Sequence, residues 1–246
     1  MTDNIEKTII HLNNVTKKFV SHDVEITALQ DIELKIHQGE YVAINGPSGC
    51  GKSTLLSLMG LLDTPTSGQY LIHGVNTREL SGDQQAELRN LHLGFVFQSF
   101  NLIDELSVYD NVALPLTYRD QSLSKQEIKD RVVRALSQVG MEHRIAHKPN
   151  QLSGGQQQRI AIARALAGEP SILLVDEPTG NLDSKNGDAV MDILSQLNAQ
   201  GTTICMVTHD PRYASHAKRQ IALLDGKIVT VQPSIQSPEP IAAVYS

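Results

Sequence analysis

Apolar and polar positions change their period several times along this chain, and each change marks a different element. Residues 8–12, and then Ile32, Leu34 and Ile36 alternating with charged or polar neighbours, read as half-buried antiparallel strands. Tyr41-Val42-Ala43-Ile44 is a short apolar run that passes into a glycine-rich loop, and Ser53-Thr54-Leu55-Leu56 then starts a helix. From about Ser81 to Gly140 helix signals dominate. The clearest helix begins at Ser124, where Ser124 and Glu127 have the spacing of a capping box. Ile128, Val132, Ala135, Leu136 and Val139 give it one apolar packing face, and Gly140 suits its C-terminal cap. Beyond Leu152 helix and strand alternate: a helix through Arg164, a buried-type strand at 172–175, a helix over about 184–197 and a strand at 203–207. That order predicts a mostly parallel sheet with covering helices. Residues 220–224 and 227–231 flank Asp225-Gly226, a two-residue hairpin turn. The last segment, QPSIQSPEPIAAVYS, has little periodicity and reads as a flexible tail over 232–246.

Composition narrows the function classes. The 246 residues carry 21 Lys+Arg against 27 Asp+Glu, a formal charge of −6, which argues against a nucleic-acid partner. With 40% hydrophobic residues the chain can bury a real core; with no Trp and 4% aromatics, that core must come mainly from Leu, Ile, Val and Ala. No stretch reaches the roughly 18 to 20 apolar residues that a membrane-crossing helix needs. The start, MTDNIEKTIIHLNN, is too polar for the apolar middle of a signal peptide. Cys50 and Cys205 match no disulfide or metal framework, so a cytoplasmic location is expected. There is no internal repeat, and a single domain over 1–231 is expected.

Three stretches carry chemistry. Gly46-Pro47-Ser48-Gly49-Cys50-Gly51-Lys52-Ser53 fits G-x-x-x-x-G-K-[ST]. Its glycines let successive amides face an anion, Lys52 reaches the β and γ phosphates of a nucleotide, and the Ser53 hydroxyl suits Mg²⁺. A glycine-rich turn without a ligand is the alternative, and the loop's place between a strand and a helix disfavours it. Cys50 inside the loop reads either as a thiol activated by amides and Lys52 or as a small residue that fits. Second, the strand 172–175 ends in Asp176-Glu177. At the carboxyl end of a parallel strand Asp176 would serve the Mg²⁺ shell, and Glu177 would take a proton from water attacking the γ phosphate. Third, Leu152-Ser153-Gly154-Gly155-Gln156 opens a helix and offers a second set of free amides to a phosphate. One nucleotide has little use for two such cradles in one chain.

With these motifs, from about residue 8 to residue 231, the chain resembles the nucleotide-binding subunits of ABC transporters. The resemblance implies an α/β P-loop NTPase core with a mostly parallel sheet, an N-terminal antiparallel β subdomain and an inserted α-helical subdomain at about 90–165. It implies that Phe19 stacks on adenine, although a core or edge aromatic is the other reading. It gives the nucleotide the loop residues through Thr54, and makes Gln98 the glutamine that touches Mg²⁺ and the attacking water in a loop facing the membrane subunit. Asp183, in Gly180-Asn181-Leu182-Asp183, would line a dimer interface. His209, in Val207-Thr208-His209-Asp210, matches the switch histidine that contacts the γ phosphate. His143 and His147 have i, i+4 spacing for a metal on a helix, but a solvated helix face is the simpler reading. The expected partners are a second copy of the chain, whose Ser153-Gly154-Gly155-Gln156 would close on this chain's ATP, and an integral membrane permease at the cytoplasmic face of the plasma (inner) membrane. Phe97-Gln98-Ser99-Phe100-Asn101-Leu102-Ile103, Asn111-Val112-Ala113-Leu114-Pro115-Leu116, Lys148-Pro149-Asn150-Gln151 and Gln156-Gln157-Gln158-Arg159 look like the MacB and LolD branch. A soluble ABC-type ATPase acting on ribosomes or DNA is the competing reading. Tandem ATPase units, a long coiled coil or zinc modules would mark it, and the sequence has none of them.

Overall fold

A computed structural model describes residues 7–21, 24–119 and 123–233. The chain opens with the antiparallel pair β1 (Thr8–Ser21) and β2 (Val24–His37), then runs through β3 (Tyr41–Asn45), α1 (Lys52–Met59), the hairpin β4 (Ser67–Ile72) and β5 (Val75–Asn76), α2 (Gly82–His92) and β6 (Leu93–Val96). Helices α3 (Val108–Thr117), α4 (Lys125–Gln138) and α5 (Gly154–Ala167) follow. The last part alternates β7 (Ile172–Asp176), α6 (Ser184–Ala199), β8 (Ile204–Val207) and the short α7 (Pro211–Ala214), and ends in the hairpin β9 (Arg219–Leu224) and β10 (Lys227–Pro233). Two sheets result. One is antiparallel, in the order β2-β1-β4-β5; the other is six-stranded, in the order β10-β9-β3-β8-β7-β6, and parallel except for β10.

The central strands are buried on both faces, which is why they read as continuous apolar runs in the sequence. Period-2 alternation divides their side chains between two cores. Ala43, Leu173, Val175, Ile204 and Met206 face the helical layer with α3, α4 and α5. Val42, Ile44, Ile172, Leu174, Cys205 and Val207 face α1 and the antiparallel sheet, packing on Leu55, Leu58, Ile10, Leu12 and Ile36. The alternation expected at Ile32, Leu34 and Ile36 thus points one face of β2 into the second core. On α4, Ser124 and Glu127 make the expected capping box, and Gly140 adopts φ 68° just past the helix. Val132, Ala135, Leu136 and Val139 are buried in the first core, with Ile128 packed on it.

Two expectations shift. Strand β6 pairs with β7 inside the segment expected to be helical from about residue 90, so the helical layer begins after Val96. Residues 142–144 form a single 3-10 turn, so His143 and His147 do not share a helix face; His147 Nε2 instead lies 2.9 Å from Arg144 Nη1. The final strand reaches Pro233, and residues 234–246, where a flexible tail was expected, lie outside the described residues. Among the described residues no helix is long and apolar enough to cross a membrane.

Candidate functional site

The loop between β3 and α1 is shaped by close backbone approach. A Cβ at Gly46 would stand 2.2 Å from Leu223 O, and one at Gly51 would stand 2.6 Å from Ala28 O. Gly51 also has φ 105°, where an L side chain is strained. Gly51→Ala is therefore expected to destabilise the fold by about 3 kcal/mol or more. A denaturant midpoint equal to that of the parent would contradict this. Gly51 is also the N-cap of α1 and provides no side-chain cap, whereas Ser81, Ser107, Ser124, Ser153 and Asp183 cap α2 to α6 in order. The first-turn amides of α1 are thus left for an anion, and the helix dipole favours one.

Lys52 is buried and folds back on this loop, its Nζ donating to Gly46 O (2.9 Å) and Pro47 O (2.8 Å). Those two weakly basic carbonyls are the partners an incoming phosphate would replace. Cys50 is buried too, with Sγ 3.9 Å from Lys52 Nζ, and an added Cβ at Gly46 would come within 2.7 Å of that sulfur. Packing this close matches the reading of Cys50 as a small residue that fits.

Sheet order brings the acidic strand end to the same loop, because β8 lies between β3 and β7. Glu177 leaves β7 with φ 41°, an unusual value for a residue with a side chain, and is pinned by its N–H to Val207 O (2.9 Å). Its Oε1 accepts from His209 Nδ1 at 2.9 Å; a carboxylate only accepts, so the contact sets which ring nitrogen carries the proton. Burial, and then the neighbouring charge of Glu177, raise the Asp176 pKa above the usual carboxylate value, with Lys52 acting in the opposite direction. A cavity of about 670 Å³ has Ser48, Gly49, Gly51, Lys52, Ser53 and Thr54 on one side and Glu177 and His209 on another.

The cavity includes walls that sequence reasoning missed. Ile26, Thr27 and Ala28 of β2 and the turn Asp225-Gly226 complete its rim. The Asp-Gly pair was legible as a hairpin, and both residues do take positive φ. What it touches was not legible: Gly226 N donates to Cys50 O (3.0 Å) and Gly226 O accepts from Gln30 N (2.8 Å). Phe19 is not among the cavity walls. It is 44% exposed on β1, opposite Ile26, with Lys17 Nζ 4.9 Å from its ring centre.

The remaining expected residues gather elsewhere. Gln98 Nε2 lies 3.5 Å from Asn181 Oδ1, and Asn181 Nδ2 donates to Gln98 O at 3.0 Å. Asp183 caps α6 through Asn186 N (2.9 Å) and Asn186 Nδ2 (2.7 Å), bonds that lower its carboxyl pKa. Ser153 and Gln156 form the capping box of α5. Gly155 abuts Asn186, where an added Cβ would stand 2.5 Å from Asn186 Oδ1. Of the described residues lining the cavity, none is Ser153, Gly154, Gly155 or Gln156. The N-terminus of α5 therefore lies outside the cavity that the β3–α1 loop lines.

A family model described as ABC transporter matches residues 29–180. The uncharacterized ABC transporter ATP-binding protein YknY of Bacillus subtilis (strain 168) is 47% identical over 221 residues, covering 90% of this chain and 95% of that protein. The macrolide export ATP-binding/permease protein MacB of Rhodopseudomonas palustris (strain BisB18) is 44% identical over 96% of this chain, which spans only 37% of its length. The solved ATP-binding cassette MJ0796, a dimer in a post-hydrolysis state bound to ADP and Pi, superposes with a TM-score of 0.84 at 44% identity, covering 93% of this chain and all of that one. With its phosphate loop, acidic strand end and signature turn on this fold, the chain belongs to the ABC transporter family, as one of its ATPase cassettes.

Proposed function

We propose that two copies of this cassette close around two ATP molecules, and that closure and hydrolysis drive a separate membrane permease. The observation that carries the reading is the separation of the two cradles: a nucleotide in the cavity meets Lys52 and the α1 amides on one side, while Ser153, Gly154, Gly155 and Gln156 face elsewhere. A second copy supplies that missing wall. That MJ0796 is a dimer with ADP and Pi bound supports pairing of two copies.

Within this reading the loop from Gly46 to Thr54 holds the phosphates, with Ser48, Gly49, Gly51, Lys52, Ser53 and Thr54 in direct reach. Glu177 receives the proton of the attacking water, and His209 orients Glu177 and touches the γ phosphate. Phe19 stacks on the adenine from outside the cavity wall, and Asp183 lines the pairing surface. The residues present also fit Mg²⁺: the Ser53 hydroxyl, the Gln98 amide oxygen and the Asp176 carboxylate are hard oxygen donors. Burial, and then the adjacent charge of Glu177, hold the Asp176 pKa up, and a cation beside the two carboxylates would relieve that second cause. Held by these residues, Mg²⁺ would supply electrostatic stabilisation of the negative charge on the phosphates.

The ATPase unit is taken as residues 1–231, with its helical part inserted after Val96. The permease would dock in a groove of about 1000 Å³ beside the Gln98 loop, lined by Phe97 and Asn101 of that loop and by Leu62, Leu91, Tyr118 and Arg119. Leu62, Leu91 and Tyr118 are 54%, 40% and 73% exposed, an apolar surface suited to a protein partner. Such docking places the cassette on the cytoplasmic face of the plasma (inner) membrane. The motifs around Gln98 and Asn111, with the similarity to MacB, support a MacB/LolD-type export or mechanotransmission system. The purified chain is expected to hydrolyse ATP only with a divalent cation, at a specific rate that rises with protein concentration. A specific rate independent of concentration from high dilution upward would contradict pairing.

A further inference from the structure

Far from the phosphate cavity, two histidines converge on one hydroxyl. His73 sits in the turn between β4 and β5 with φ 49°, and its N–H donates to Ile9 O (2.9 Å), which ties the turn to the start of β1. His92 ends α2, and its carbonyl accepts from Ser171 N (2.9 Å) just before β7. The Ser171 hydroxyl lies between the two rings, 2.9 Å from His73 Nε2 and 3.0 Å from His92 Nδ1. The ring centres are 4.6 Å apart, and all three residues are half-buried. They stand where β6 and β7 begin, at the opposite end of the sheet from Asp176 and Glu177.

A hydroxyl has one proton to give. It donates to one ring nitrogen and accepts an N–H from the other, so the three groups are satisfied together only while one ring is neutral. With both rings charged, both nitrogens are donors and the hydroxyl proton loses its acceptor in the cluster. The charges that act on the rings are also repulsive: Lys7, at the start of the antiparallel sheet, bears on both, and His73 bears on His92. Arg89, one turn back on α2, is a further cation and donates to Leu61 O, while Glu169, two residues before Ser171, pairs with Arg131 and Arg134. Burial first, and then these cations, lower the pKa of both rings below the usual histidine value.

We propose that His73, Ser171 and His92 form an acid-released clasp between the two sheets, which holds the β4–β5 turn against the feet of β6 and β7 and frees it when both rings are protonated. Because the folded chain favours neutral rings, the clasp contributes fully above the unfolded histidine value of about 6.5. Its contribution is lost as the pH falls below that value through the lowered folded ones. None of the three residues lines the phosphate cavity, so release is a local opening at the far seam of the fold.

Hydrogen exchange of the full chain, followed by mass spectrometry over residues 70–76 between about pH 7.5 and about pH 5.5, tests the clasp. After correction for the intrinsic exchange rate, the opening equilibrium of this segment is expected to rise by about tenfold or more on acidification, while that of α6 stays level. In the double variant His73→Asn with His92→Asn, which has no ring to titrate, the segment is expected to change by less than about twofold over the same range. His73→Asn alone keeps one ring and is expected to give roughly half the parental response on a logarithmic scale, so the test stands even if the double variant does not fold. A parental segment indifferent to pH, a parental response undiminished in these variants, or α6 opening in step with the turn would overturn the clasp.

Discussion

Glu177→Gln is expected to lower steady-state ATP hydrolysis by about 10²- to 10⁴-fold, the range lost when a positioned general base is removed. The substitution is nearly isosteric. Its amide oxygen still accepts from His209 Nδ1, as Glu177 Oε1 does now at 2.9 Å, and the backbone N–H to Val207 O is untouched. What disappears is the ability to take a proton from water. Loss of a negative charge beside Asp176 also removes one of the two causes that hold the Asp176 pKa up, so ATP binding is not expected to weaken. Single-turnover kinetics beside equilibrium ATP binding separate these two effects: the rate falls and the affinity does not.

The second large effect is at Lys52. Its ammonium donates to Gly46 O and Pro47 O, and α1 carries no side-chain cap to compete for the phosphates. Lys52→Ala removes the only charged group of the loop and leaves those two carbonyls to find water. A charge-assisted contact of this kind contributes about 3 kcal/mol, so ATP binding is expected to weaken by about 100-fold, with hydrolysis lost as well. Calorimetric titration of ATP into the variant checks this. An affinity within a few-fold of the parent would mean that the α1 amides alone hold the phosphates.

Much of the catalytic half was legible because its chemistry is local. A loop that must present amides to an anion needs glycine at set positions between a strand and a helix, and the buried strand before Asp176 shows as an unbroken apolar run. Other elements were hidden by close packing and by polar content. Strand β6 has only four residues and includes Gly94, which is there because a Cβ would come 2.6 Å from Ala165 O. Helix α3 carries Pro115 in its interior and depends on buried Asn111, whose side chain bonds Ile103 N and Ile103 O across a loop. No periodicity announces such a bond. β4, read SGQYLI, gains its place by pairing with β1, a partner distant in sequence.

The site was legible as chemistry and not as geometry. The family resemblance assigned a role to Gln98, Ser153 and Asp183, but only the folded chain shows Gln98 bonded to Asn181, Asp183 bonded to Asn186 and Gly155 packed on that same Asn186, none of them on the wall of the phosphate cavity. Phe19 shows the converse: its place in the motif order suggests an adenine contact, while its side chain lies outside the cavity wall beside Ile26. The rim supplied by Ala28 and Gly226 arises from contacts between β2, the phosphate loop and the β9–β10 turn. Those contacts depend on how the two sheets pack.

In the proposed function one chain holds only half of each ATP site, and sedimentation velocity of the Glu177→Gln chain, with and without saturating Mg²⁺ and ATP, decides it. A single-chain species without nucleotide and a two-chain species with it are expected, the latter dispersing when Ser153-Gly154-Gly155 is disrupted by Gly155→Asp. A boundary that remains at the single-chain position with ATP bound and protein concentrated would contradict it.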